Sequence, residues 1–276
     1  MKKIKLIGLD LDGTLVNTRK QISDRTKAVI KKAILAGVIV VPATGRPISG
    51  IPQELLESIP EIRYVITANG ALIVDVKEDK FIYQEGIPYE QALEIIKELK
   101  KYDIMIEPYI EGEAYSEKKD MDNIRHFVTD PIQIQYFLDS RRVVDNMGDF
   151  VKQKKCSIDK IHLLFEDLSL RLKIWKKLDN YPQFVVTTAH PNNLELNKAT
   201  VNKGTSLLAL GKYLGIQKDE IMACGDNSND LEMLKSVGLG VAMGNAESEI
   251  KEAADFVTLT NDEDGVAFAI EKFILS

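Results

Sequence analysis

The chain has 276 residues, of which 45% are hydrophobic and 28% charged, and its formal net charge is −6. This composition is typical of a globular protein rather than a disordered or fibrous one, and the length allows one large domain or two ordinary ones. The acidity is spread along the chain without a basic footprint, so we expect no nucleic-acid partner. The two cysteines, Cys156 and Cys224, indicate no disulfide framework and fit a reducing cytosol.

No segment of the sequence predicts a membrane-bound protein. The apolar run near the N-terminus is too short for a signal peptide and is interrupted by aspartates. No stretch reaches the roughly 20 apolar residues that span a bilayer. We therefore expect a soluble, cytoplasmic protein without a membrane partner, either a monomer or a small homo-oligomer.

The first third of the chain alternates between predicted strands and helices. Residues 3–9 predict a buried strand, and Ser23 is typical of a helix N-cap, with Gly37 as the end of that helix. A β-branched strand follows at 38–41, then a helix from Pro47 to before Pro60, and a third strand at 64–68. This β-α-β-α-β order predicts an α/β protein with a Rossmann-like, doubly wound parallel sheet.

The middle of the chain has shorter elements and more polar residues. After a hairpin predicted at 71–83, the pattern changes near Gly86, where an amphipathic helix is expected at 88–101. Further helices are expected near 120–128 and around Trp175. Short strands are expected at the sequences IMIEPYI, IQIQYFL, KIHLLFE and QFVVTTA. We interpret residues 86–192 as an inserted α+β domain.

The strand–helix alternation returns after Asn202. A helix is expected over 203–215, strands at 221–225 and 239–243, and a closing helix near the C-terminus. We therefore expect one α/β core built from residues 1–85 and 193–276, with the inserted domain between its two halves.

Four polar turns of the predicted core share one position. Each lies at the C-terminal end of a strand or at the start of the next helix. In open α/β sheets this edge binds ligands. The turns are Asp10–Thr14, Thr44–Arg46, Lys203–Gly204 and Gly225–Asp230.

These turns bring together acidic side chains that need a positive partner. Asp10, Asp12, Asp226 and Asp230 supply carboxylates, and Asn229 adds a neutral oxygen. A cluster of oxygen donors selects hard cations, and a few such ligands with water suit Mg²⁺.

The remaining polar groups of the turns suit a phosphate. Lys203, the Thr44 hydroxyl and the main-chain amides of small-residue turns such as Gly45 are donors for a dianion. Mg²⁺ and these donors together favour phosphoryl transfer, in which catalysis consists mostly of positioning and charge neutralisation.

The two aspartates of the first turn take separate roles in such a reaction. Asp10 can attack phosphorus and form an aspartyl-phosphate. Asp12 can protonate the leaving oxygen and then deprotonate the water that hydrolyses the intermediate. Gly13 allows a sharp turn, and the Thr14 hydroxyl can lock it.

Four motifs of the chain resemble those of the haloacid dehalogenase (HAD) superfamily, in the same order. They are DLDGT, the TGR of ATGRP, the lysine before a helix, and GDNSND. The insertion between the second and third motifs resembles the C2-type cap of the Cof-like subfamily. The run from Gly225 to Val266 also resembles that subfamily closely.

The resemblance implies roles for individual residues of the motifs. Asp10 would be the nucleophile and an Mg²⁺ ligand. Asp12 would be the acid/base, and its main-chain carbonyl would also bind the metal. Asp226 would ligate the metal directly, with Asn229 near the same shell, and Asp230 would orient the metal site or Lys203.

Further residues are implied around the phosphate. Thr44 and Lys203 would hold it, whereas Asn69 and Arg46 would contact substrate or cap. The protein would then be a Mg²⁺-dependent phosphatase for small phosphorylated metabolites, most commonly sugar phosphates, with the inserted domain as a lid. Two alternatives stay open: a sugar phosphomutase of the same fold, and a phosphometabolite sensor without turnover.

Overall fold

The computed structural model describes residues 3–276, which fall into two units. The first unit takes in the chain up to Gly45 together with Pro52–Tyr83 and Asn202–Ser276. The second unit consists of Arg46–Ile51 and Gln84–Val201.

The first unit contains the elements that the sequence assigns to an α/β core. Elements are numbered along the whole chain. The strands are β1 (Leu6–Leu9), β2 (Ile39–Pro42), β3 (Tyr64–Thr67), β4 (Leu72–Asp75), β5 (Lys80–Gln84, which ends at the boundary), β12 (Ile221–Gly225), β13 (Leu239–Ala242) and β14 (Phe256–Val257). The helices are α1 (Asp24–Leu35), α2 (Gln53–Ser58), α9 (Lys203–Tyr213), α10 (Leu231–Ser236), α11 (Ser248–Ala253) and α12 (Gly265–Ile270).

A five-stranded parallel sheet forms the centre of the first unit, in the order β14-β13-β12-β1-β2. All four residues of β1 are buried, as are all five of β12. Strands covered on both faces need continuous apolar sequence, which is the pattern that predicted them. The predicted α/β fold class is confirmed.

The third predicted strand joins this sheet only marginally. β3 pairs antiparallel with β4. It thereby adds a third strand to the hairpin predicted at 71–83, and the three strands form a separate sheet of order β3-β4-β5. A single parallel bridge between Ala43 and Ile66 continues the β2 edge towards β3. The predicted helix between Pro47 and Pro60 is also divided, into a 3-10 turn at Ile48–Gly50 and α2. The division follows because Pro52 holds the residue before it in an extended conformation.

The second unit is an α+β layer. Its strands are β6 (Met105–Ile110), β7 (Glu113–Glu117), β8 (Arg141–Val144), β9 (Lys160–Leu164), β10 (Phe184–Thr187) and β11 (Asn193–Lys198). Its helices are α3 (Tyr89–Leu99), α4 (Lys118–Asp122), α5 (Ile124–Phe127), α6 (Pro131–Ser140), α7 (Met147–Lys154) and α8 (Leu168–Leu178). The six strands form one sheet of order β10-β11-β9-β6-β7-β8.

The division into units differs from the expected one at three places, of which the smallest is at residues 84–85, which fall in the second unit. Residues 193–201 fall in the second unit because β11 lies between β10 and β9 and pairs antiparallel with both. Arg46–Ile51 also falls there, since the Ile48 amide donates to the Gly112 carbonyl at 2.8 Å. Neither pairing has a local signal in the sequence.

The strand expected at IQIQYFL is wrong, because this segment is helix α6. Asp130 accepts from the Ile132 amide as N-cap, and Pro131 occupies the first helical turn. The buried side chains Ile134 and Phe137 are three residues apart, as on one face of a helix. The capping signal therefore overrides the alternating pattern.

Asp159 is a fully buried carboxylate of the second unit that has no ion pair in the part of the chain described. It accepts from the Gly112 amide at 2.9 Å and from the Gln84 side chain at 3.3 Å. Burial raises its pKa to about 6, so the folded protein holds this proton more tightly than the unfolded chain. Stability is therefore lost as the pH rises from about 4 to about 6, and the whole penalty is present above that range.

We expect Asp159→Asn to raise the free energy of unfolding by about 2 kcal/mol at pH 7.5. The asparagine oxygen can accept from Gly112, and its amide group can face a rotated Gln84 amide. The difference should vanish below about pH 4, as urea unfolding at both pH values will show. Asp179→Asn, at an exposed position, is the control. A variant less stable than wild type at pH 7.5 would contradict the prediction.

None of the helices within residues 3–276 has both the length and the apolar character needed to cross a membrane.

Candidate active site

Asp10 directly follows β1, and its main chain adds one more hydrogen bond to the pairing of β1 with β12. Its amide donates to the Cys224 carbonyl at 3.0 Å, and its carbonyl accepts from the Leu15 amide at 3.2 Å. The side chain is buried, with 5% of the residue exposed. The parallel pairing of two sequence-distant strands thus fixes the position of this carboxylate.

The turn after Asp10 packs closely against the loop after β12. Gly13 has φ +85°, and a Cβ built on it would lie 2.3 Å from Asp226 Oδ2, so only glycine fits. Thr14 Oγ1 donates to Asp226 Oδ1 at 2.7 Å. Thr14 therefore joins the two loops, rather than only locking its own turn as the sequence suggested.

Lys203 begins helix α9 and is fully buried. The Asn202 side chain caps this helix by accepting from the Thr205 amide, and the Thr205 hydroxyl accepts in turn from the Asn202 amide, which orients the first turn. The Lys203 ammonium lies 2.5 Å from Asp10 Oδ1 and 2.7 Å from Asp230 Oδ1. One cation is thus shared between two carboxylates from the turns that follow two different strands.

Asp230 uses both of its oxygens within the protein. Oδ1 accepts from Lys203, and Oδ2 accepts from the main-chain amides of Asp226 and Asn227 at 3.0 and 3.1 Å. Its geometry is that of a residue that orients Lys203 and the Asp226 loop.

Thr44 follows β2 at the same edge of the sheet. Its amide donates to the Ile66 carbonyl at 2.9 Å, and its carbonyl accepts from the Asn69 amide at 3.0 Å. Asn69 has φ +58°, a left-handed conformation that asparagine tolerates better than most residues. The Asn69 side-chain oxygen accepts from Asn229 Nδ2 at 3.2 Å, which links the Thr44 turn to the Asp226 loop.

Two of the predicted residues lie differently from the rest. Asp12 is partly exposed and forms an ion pair with Lys20 at 2.9 Å, a partner for which the sequence carried no signal. Arg46 belongs to the second unit, where its guanidinium donates to the Gly50 carbonyl and lies 4.9 Å from the Tyr136 ring centroid. Gly45 ends the first segment of the first unit, directly after Thr44.

Burial and charge shift the titration of the central groups. Burial, with the neighbouring Asp230, raises the pKa of Asp10 well above its ordinary value and that of Asp226 to about 6. Burial alone would lower the pKa of Lys203, but Asp10 and Asp230 raise it above its ordinary range. One ammonium therefore faces three carboxylates, and the excess negative charge favours a further cation.

The donor set fits a hard divalent cation. Asp10, Asp226 and Asp230 each offer a carboxylate oxygen, and these oxygens lie within 4.8 Å of one another. Since both oxygens of Asp230 are engaged, Asp10 and Asp226 are the better ligands of the three. Carboxylate oxygens without sulfur or imidazole suit Mg²⁺.

A family model for haloacid dehalogenase-like hydrolases matches residues 7–270 of the chain. Among curated proteins, the chain is 32% identical to 5-amino-6-(5-phospho-D-ribitylamino)uracil phosphatase YcsE of Bacillus subtilis, over 99% of this chain and 96% of that protein. It is 30% identical to phosphatase YwpJ of the same organism, over 98% and 100%.

A solved structure gives the same result for the fold. The haloacid dehalogenase-like hydrolase from Bacteroides thetaiotaomicron superposes with a TM-score of 0.80 at 32% identity, over 98% of this chain and 99% of that one. The match runs through both units and through all four motif turns. The chain belongs to the haloacid dehalogenase-like hydrolases, in their Cof-like branch, and is an enzyme of the phosphatase type.

Proposed function

We propose that this phosphatase hydrolyses small phosphate monoesters with Mg²⁺, through an aspartyl-phosphate formed on Asp10. The observation that carries the proposal is the placement of Lys203 Nζ between Asp10 and Asp230, with Asp226 in the same cluster. This arrangement keeps a carboxylate at a fixed position at the strand end, where ligands bind in open α/β sheets.

Two displacements at phosphorus account for the reaction. Asp10 attacks the phosphoryl group, the ester P–O bond breaks, and Asp12 gives its proton to the leaving oxygen. Water then attacks the phosphorus of the aspartyl-phosphate, Asp12 takes a proton from that water, and the Asp10 carboxylate is regenerated. Lys203 and Thr44 hold the phosphoryl oxygens, with the main chain at Gly45.

Asp10 and Asp226 would hold the Mg²⁺, with Asn229 and the main-chain carbonyl of Asp12 near it. When bound, the ion neutralises negative charge on the phosphoryl group. The Lys203 ammonium lowers the pKa of Asp10 and so opposes burial and the repulsion from Asp230, which together raise it; the charge of a bound cation would favour the ionised nucleophile further.

The substrate class that we propose is phosphorylated sugars and related polyols. The curated relative from Bacillus subtilis is named for a substrate that carries a phosphate on a ribityl chain, which is a sugar alcohol. A phosphate on a primary alcohol has a poor leaving group, so the proton from Asp12 is needed. Substrate selection by the second unit stays a prediction.

We expect the purified protein to release inorganic phosphate from p-nitrophenyl phosphate and from at least one sugar monophosphate. Chelation with EDTA should lower kcat/KM by about a hundredfold or more, since a catalytic metal contributes several kcal/mol. A malachite-green assay across a panel of phosphorylated metabolites, with and without added Mg²⁺, measures both. Phosphate retained on an isomeric sugar would indicate a mutase, and binding without turnover would indicate a sensor.

A further inference from the structure

Two loops of the first unit, one around Asn245 and one around Asn261, form hydrogen bonds with the segment that follows Asp10. Asn245 Nδ2 donates to the Gly13 carbonyl at 2.8 Å, and Asn261 Nδ2 donates to the Val16 carbonyl at 3.0 Å. Asp262 Oδ1 accepts from both the amide and the hydroxyl of Thr18, at 2.9 and 3.0 Å. Side chains far away in sequence thus bind three points on the segment 13–18.

The two loops are also hydrogen-bonded to each other. The main-chain amide of Asn261 donates to Asn245 Oδ1 at 3.0 Å, so the Asn245 side chain bridges the loop around Asn261 and Gly13. The Gly244 amide donates to the Leu259 carbonyl at 2.9 Å, which holds the loops together through the main chain. The orientation of the Asn245 amide group is therefore set from both of its ends.

The position of this bridge points to a role beyond folding. Asn245 is exposed, so water could satisfy the Gly13 carbonyl if the side chain were absent. Gly13 is adjacent to Asp12 and has the wide conformational freedom of glycine. A hydrogen bond to its carbonyl restricts the Gly13–Thr14 peptide unit, which is the next one after the peptide that joins Asp12 to Gly13.

We propose that Asn245 is a positioning residue that holds the turn at Gly13 and so places the Asp12 carboxylate for proton transfer. The inference rests on the proposed function for the role of Asp12, but the restraint on the turn does not depend on it. Asn245 itself touches Gly13 and Asn261, and it acts on the reaction through the main chain of the turn.

The choice of leaving group separates positioning from a general structural role. A sugar alkoxide needs a proton as it leaves, whereas p-nitrophenolate leaves without one. In Asn245→Ala we expect kcat/KM to fall about tenfold or more for the sugar phosphate that the wild type hydrolyses fastest. For p-nitrophenyl phosphate the fall should stay below about threefold. The kcat/KM values report the first displacement, in which Asp12 acts as acid.

Hydrogen–deuterium exchange tests the restraint itself without metal or substrate. The amides of Leu15 and Val16 bond within the turn, so a loosened turn should exchange faster in a peptide covering residues 11–18. Asn180→Ala removes another exposed asparagine that donates to a main-chain carbonyl, at Lys177, and should change neither measurement.

Equal losses for both substrates, or unchanged exchange at residues 11–18, would overturn the proposal. If Asn245→Ala fails to fold, Asn261→Ala tests the same restraint through Val16, while its main-chain bond to Asn245 is kept. A wild type that hydrolyses neither substrate would instead overturn the proposed function, and the exchange measurement would still decide whether Asn245 restrains the turn.

Discussion

Replacing Asp10 with asparagine is expected to lower kcat for p-nitrophenyl phosphate by about 10⁴-fold or more, with the fold retained. The amide is close in size to the carboxylate and can still accept a hydrogen bond from Lys203 through its oxygen. It is a poor nucleophile, however, and does not form an acyl phosphate. The residual rate would come from the remaining charges of the site alone.

The stability of Asp10→Asn distinguishes loss of chemistry from loss of structure. Burial and Asp230 raise the pKa of Asp10, so removing this charge should not destabilise the protein strongly. The stability of the variant is measured by thermal unfolding, and its activity is measured on the same preparation. The exposed Asp179→Asn is the control for both measurements. Substantial hydrolysis by a folded Asp10→Asn would show that the phosphoryl group is accepted elsewhere or attacked directly by water.

Replacing Lys203 with methionine is expected to affect both stability and activity. It removes the buried cation between Asp10 and Asp230 and leaves two buried carboxylates without a positive charge beside them. Breaking a buried ion pair from one side costs about 3–5 kcal/mol in the free energy of unfolding. We also expect kcat/KM to fall by about 10²- to 10³-fold, because a donor to the phosphoryl oxygens is lost.

A second substitution shows whether the loss of stability is electrostatic. Adding Asp230→Asn to Lys203→Met removes one of the two negative charges that lost their cation. About 1 kcal/mol or more of the free energy of unfolding should then be recovered, as measured by urea unfolding, without recovery of activity. Lys212→Met, at an exposed position of the same helix, should change stability by no more than about 0.5 kcal/mol. Equal small losses for Lys203→Met and Lys212→Met would contradict the pairing seen in the structure.

Much of the first unit could be predicted because its signals are local. The apolar run of β1 and the Ser23 cap and Gly37 end of α1 each lie within a few neighbouring residues, and the structure has these elements where they were expected. The polar turns at strand ends also follow from local pattern and from the rule that carboxyl ends of parallel strands meet. This rule predicted that Asp10 and Asp226 should lie close together, and the position of Lys203 at the start of a helix added it to the same edge.

The second unit shows where local pattern is insufficient. The alternation at IQIQYFL favoured a strand, yet Asp130 and Pro131 begin a helix there, because capping and burial of one helical face stabilise it more. The boundary at residue 193 was misplaced because β11 pairs with β9, about 30 residues earlier, and pairing across such a distance has no local signal.

By itself the sequence determined the α/β core, the order of the motif turns and the acidic character of the candidate site, since these depend on hydrophobic periodicity and residue chemistry. Only the tertiary structure decided which groups pair: Lys203 with two aspartates, Thr14 with Asp226, Lys20 with Asp12, and Asn245 with Gly13. Hydrogen bonds and ion pairs act over about 3 Å. Their partners are therefore set by the packing of strands and loops from distant parts of the chain.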